Sequence, residues 1–93
     1  MFVWDDNKNE VNIKKHGVSF EEAESVFDDI YALYDADTEH SDTEERFIII
    51  GKSEHMKILF VCHCYRENED VIRLISARKA DNFEIDLYFG GIV

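Results

Sequence analysis

Apolar positions along the chain change their period several times. Phe2-Val3-Trp4 is a short apolar run that predicts a strand. Asn7 then offers a helix cap with Glu10 three residues on, and the helix should close at His16-Gly17, where glycine suits the left-handed position. Ser19 and Glu22 repeat the capping spacing. After them Phe20, Ala23, Val26, Phe27 and Ile30 recur at helical intervals, predicting an amphipathic helix of about ten residues. From residue 31 the period shortens. Residues 31–34 read as a brief strand, 35–42 as a polar loop, and 47–51 as an apolar central strand. A connection at 53–55 leads into a strand over 56–65, a charged turn over 66–70 and a strand over 71–77. Near the end, Phe83, Ile85, Leu87 and Phe89 alternate like a strand. Asp81 with Glu84 has capping-box spacing and tips the segment toward helix. The predicted order is β-α-α-β-β-β-β-α. It describes an α+β domain with an antiparallel sheet of about four strands, two N-terminal helices and a C-terminal helix, the helices on one face of the sheet.

At 93 residues the chain suits one domain, covering 1–93. No apolar run reaches membrane-spanning length, the first residues carry no secretory pattern, and two cysteines point to a reducing, cytoplasmic setting. The net charge of −11 at first argues against nucleic acid as a ligand. Its distribution changes that inference. Residues 17–45 hold eleven Asp and Glu and no Lys or Arg, whereas residues 46–80 hold seven bases and four acids. The chain is bipolar: one segment suits a basic partner, and another tolerates phosphates. Residues 81–93 have three acids and no base, so they offer no electrostatic contact to RNA.

Alternation sorts the strand at 56–65 into two faces. Met56, Ile58, Phe60, Cys62 and Cys64 form the more apolar set, expected to pack on the helices. Lys57, Leu59, Val61, His63 and Tyr65 would then take the open face. Arg46 alternates with Lys52, and Arg73 with Ile75 and Ala77; their sharing of that face stays open at this point. If shared, the face would hold arginines beside a histidine and a tyrosine, able to bind a phosphodiester and move protons. Alternation also separates His63 from the thiols of Cys62 and Cys64, so no metal site is expected and the thiols read as small hydrophobes. Trp4 reads as a core anchor, and His16 suits the end of a helix dipole.

Several segments, in order, resemble the BrnT family of toxins from bacterial type II toxin–antitoxin systems. They are Trp4-Asp5, Asn7-Lys8 and Asn12; Lys15-His16-Gly17-Val18-Ser19-Phe20-Glu21-Glu22-Ala23; Val26-Phe27-Asp28-Asp29; Glu44-Glu45-Arg46-Phe47 with Ile50-Gly51-Lys52-Ser53; and the run from Ile72 to Ala80. The resemblance implies a RelE-like fold, metal-independent RNA cleavage with no cofactor, and a BrnA-like ribbon-helix-helix antitoxin. It leaves a homodimer or a toxin–antitoxin hetero-oligomer as the assembly. On this basis His63 is the expected acid or base, with Arg46, Arg73 and Arg78 as phosphate clamps. Lys15, His16, Tyr65 and Lys79 are the expected substrate contacts. Two other functions stay open: a non-catalytic toxin-fold protein that binds an antitoxin or other basic partner, and an acidic mimic of nucleic acid.

Overall fold

The computed structural model describes residues 1–40 and 44–90. Among these residues five strands form one sheet, in the order β1-β5-β4-β3-β2. They are β1 (Phe2–Val3), β2 (Leu33–Ala36), β3 (Phe47–Lys52), β4 (Ile58–Arg66) and β5 (Val71–Lys79). Four of these pair antiparallel in sequence, while β1 lies parallel to β5, with Phe2 beside Ile72. The sheet is therefore mixed and five-stranded, where about four antiparallel strands were expected. The N-terminal run is too short to turn back on its neighbour, and two helices carry the chain to the far edge before β2 begins. β2 is that edge, and all four of its residues are exposed. It lies two residues later than the predicted 31–34. Of the loop expected over 35–42, Thr38–His40 is a 3₁₀ turn and residues 41–42 lie outside the described residues.

Helix α1 (Asp6–His16) is capped by Asp5, whose carboxylate accepts from the Lys8 N–H at 3.1 Å. The cap is thus two residues earlier than Asn7, which becomes helical. Gly17 closes the helix at φ 70° and donates to the Ile13 carbonyl, as predicted. Ser19 caps α2 (Phe20–Ser25), accepting from the Glu22 N–H at 3.0 Å. Glu22 does not reciprocate. Its buried carboxylate instead accepts from Ser53 Oγ at 2.7 Å, tying α2 to the β3–β4 turn. The helix stops after six residues because the Val26 amide turns to the Ala23 and Glu24 carbonyls, tightening Val26–Asp28 into a 3₁₀ turn.

The core lies between these helices and the sheet. Val18, Phe20, Ala23 and Val26 meet Ile49, Leu59, Val61, Leu74 and Ala77, all essentially inaccessible. Each such aliphatic side chain contributes about 1.5–3 kcal/mol by leaving water. Trp4 anchors the core edge-on to Phe20, with ring centroids 6.1 Å apart. Gly51 permits a close approach: a Cβ there would lie 3.2 Å from both the Ala32 Cβ and the Val26 carbonyl oxygen.

The faces of β4 are the reverse of those expected. Leu59, Val61 and His63 point to α1 and α2; Phe60 and Cys62 point away. Lys57, which made the first set look polar, precedes the strand, and His63 and Tyr65 are absorbed by aromatic neighbours. The second face is itself partly covered. Helix α3 (Asn82–Tyr88), opened by a complete Asp81–Glu84 capping box, brings Leu87 toward Leu33, Ile48 and Ile50. Helices therefore lie on both faces, not one. Between β4 and β5 the register slips at Cys62/His63, so that Cys62 faces Ser76 and His63 faces Leu74.

Asn12 joins α1 to β5. Its amide donates to the Val18 and Ala77 carbonyls, both at 2.8 Å, and its oxygen accepts from the Ala77 N–H at 3.1 Å. Asn12→Leu leaves three buried backbone groups unpaired and is expected to cost about 3 kcal/mol. Urea unfolding of the two proteins measures the difference directly.

Candidate active site

Three arginines share the sheet face opposite α1 and α2. On β5, Arg73 stands beside Cys64 and Arg78 beside Phe60. Arg46 directly precedes β3, and its charge acts on the Cys62 thiol from across the strand. Two strand spacings put the backbones of Arg46 and Arg73 about 10 Å apart, and Arg78 lies about 13 Å further along the sheet. The three line a strip. The arginines differ in freedom. Arg78 is stacked over the Phe60 ring at 4.0 Å and makes a two-pronged contact with Glu84, at 2.8 and 2.9 Å. That hydrogen-bonded carboxylate raises its already high pKa and roots α3 on the sheet. Arg46 has the Glu44 carboxylate within 3.9 Å, and Arg66, at the end of β4, pairs with Glu44 at 3.1 Å.

Beside Arg78 a cavity of about 460 Å³ opens. Ile48, Phe60 and Arg78 line it from the sheet, and Asp37, Glu39 and His40 from the chain after β2. His40 is mostly exposed, and its Nδ1 lies 3.0 and 3.1 Å from the two oxygens of the nearly buried Asp37 carboxylate. The Cys62 thiol donates to the same carboxylate at 3.7 Å. Burial, followed by the Asp37 charge, pushes that thiol up to about 11, so it remains protonated and is no nucleophile at neutral pH. Sequence reasoning missed this group, because residues 35–42 read only as acidic loop. The available signal was Asp37 three residues before His40, a spacing that one tight turn converts into contact.

The expectation that His63 lies on the open face is corrected. Its exposure is 0%, and Phe27 packs edge-on to its ring at 4.9 Å, with Phe47 6.2 Å away. Its Nε2 is 3.3 Å from the half-buried Tyr65 hydroxyl. Burial drives the imidazole down to about 4, so it is neutral at pH 7. The structure does not bring His63 or Tyr65 to the arginines. Lys15 and His16 are also elsewhere. With Lys8 and Ser76 they line a groove of about 310 Å³ between α1 and β5. Lys79 ends β5, exposed, its place opposite Leu59 putting it on the helix-side face.

A family model for the ribonuclease toxin BrnT of type II toxin–antitoxin systems matches residues 4–84. Among solved structures, the Brucella abortus ribonuclease toxin BrnT is similar at 25% identity and a TM-score of 0.66, over 88% of this chain and 99% of that one. No curated protein matches. Among the described residues, no helix is long and apolar enough to cross a membrane.

His63 makes stability depend on pH. Its folded value near 4 lies below the usual 6.5, so the unfolded chain takes the proton first. The folded state is fully favoured above pH 6.5 and loses ground as pH falls toward 4, by up to about 3 kcal/mol. Chemical unfolding at pH 7 and pH 4 should show this loss, and His63→Gln should shrink the pH-dependent part while lowering stability at both.

Proposed function

The chain belongs to the BrnT family of ribonuclease toxins of type II toxin–antitoxin systems, and from that premise we propose that it cuts RNA on the sheet face opposite α1 and α2, without a metal ion. The observation that carries the location is the strip of Arg46, Arg73 and Arg78 beside a cavity of nucleotide size. In the reaction the ribose 2′-oxygen attacks the adjacent phosphorus, the bond to the 5′-oxygen breaks, and negative charge builds on the non-bridging oxygens. Guanidinium groups fixed at that position stabilise this charge. Arg73 and Arg46 are the clamps, on either side of Cys64. Arg78, held by Glu84, forms the far wall of the cavity. Lys15 and His16 supply a separate backbone contact on the α1 side, where among the described residues no carboxylate lines the groove.

The family implies an antitoxin as partner. We assign it to the BrnA-like ribbon-helix-helix type, forming a toxin–antitoxin hetero-oligomer in the cytoplasm and docking on the acidic side. Two features support that surface: Ile30, Tyr31, Leu33 and Tyr34 are exposed there, and residues 17–45 carry acids without bases. One observation favours a second reading, a non-catalytic antitoxin-binding protein: the Arg78 guanidinium is already held by a carboxylate, and α3 contributes no base.

Cleavage of a defined RNA by purified protein, together with growth arrest on expression, separates the readings. Arg73→Ala and Arg46→Ala should each slow cleavage roughly ten- to a thousandfold, the range for losing one donor to a developing oxyanion. Full toxicity in both variants would remove the strip from the mechanism. Intact RNA beside tight antitoxin binding would favour the second reading.

A further inference from the structure

We propose that His40 is the catalytic base of the RNA cleavage reaction and that Asp37 is its positioning residue. The proposal rests on the ribonuclease reading and deepens it by naming the proton-transfer group. Three observations converge on it. Among the described residues, His40 is the only histidine lining the cavity beside Arg78. Its Nδ1 is turned to a nearly buried carboxylate at 3.0 Å, an orientation in which a proton on Nδ1 would leave Nε2 as the acceptor. The carboxylate is itself held from behind, by the Cys62 thiol and by an anchored backbone, since the Asp37 N–H donates to the Arg46 carbonyl at 2.8 Å. A base oriented by an acid, with the Arg78 guanidinium lining the same cavity, is the arrangement that general-base catalysis requires.

The other histidines and the Cys62 thiol are worse placed. His63 is sealed in the core and His16 lies in the groove between α1 and β5. His55 is in the turn between β3 and β4, against Glu54. The thiol of Cys62 is held protonated. Among the described residues, the charged and titratable groups facing His40 are Asp37 and Glu39 from its own loop and Arg78 from β5, with Cys62 of β4 behind Asp37 and Glu84 of α3 behind Arg78.

The step balances without a further reactant. Nε2 takes the 2′-hydroxyl proton, the O2′–P bond forms and the P–O5′ bond breaks. The 5′-oxygen takes a proton from water, and the imidazolium returns its own to solvent. The products are a 2′,3′-cyclic phosphate and a 5′-hydroxyl.

The test is steady-state cleavage of a short fluorescent RNA of known sequence, with end-group analysis of the products. His40→Ala should lower kcat by 10²–10⁴-fold with KM nearly unchanged, abolish the acidic limb of the pH–rate profile, and recover partly in added imidazole. Asp37→Asn should lower kcat at near-constant KM, and Asp37→Glu should restore part of it. His55→Gln serves as the matched control and should keep the wild-type rate, with far-UV circular dichroism confirming the fold of each variant. Wild-type kcat in His40→Ala beside a crippled Arg73→Ala would overturn this proposal and leave the ribonuclease reading standing. A wild-type protein that leaves every RNA intact overturns both.

Discussion

Strand β4 is buried on both faces, and that constraint arranges the rest of the molecule. It sits at the centre of the five strands and cannot leave either row of side chains to water. One row, Leu59, Val61 and His63, is covered by α1 and α2. The other, Ile58, Phe60 and Cys62, has only a single short helix and a loop to cover it. The cover is therefore assembled from polar parts: the stacked guanidinium of Arg78, the Glu84 carboxylate and the Asp37 loop. A face closed in this way is a face where charged groups are held in place, and this is why the candidate chemistry gathers there.

The same division explains why one histidine is inert and another is not. His63 sits among aromatic rings, where charging it is costly, and it behaves as a slightly polar core residue. His40 sits at the rim with a carboxylate behind it and solvent in front. Place in the fold, a central strand against a rim turn, and not residue type, separates the two histidines.

Much of the fold was legible from residue order alone. Gly17, Ser19 and the Asp81–Glu84 box mark their helix ends because capping is local chemistry. The three long strands are legible because β-branched runs have few other uses. The faces of β4 were not, since both rows are apolar and alternation says which residues go together but not where they go. Likewise the arginines were legible as candidates by their place on strands, but the Asp37–His40 pair was not. It depends on a tight turn inside a stretch whose composition suggests only a solvated loop. The parallel pairing of β1 with β5 depends on tertiary packing of Phe2 and Trp4, which no local pattern encodes.

The open edge of the sheet has a colloidal consequence. Among the described residues β2 is an edge strand with Leu33 and Tyr34 exposed, the kind of edge along which identical chains zip together. Asp35 lies within that ladder, and it belongs to a segment that bears all of the chain's charge surplus. Two copies meeting edge to edge would bring like carboxylates together and be driven apart, whereas a cationic chain would be drawn in. The acidity that first seemed to speak only about nucleic acid thus also bears on the sheet edge, where like charges disfavour the pairing of identical strands.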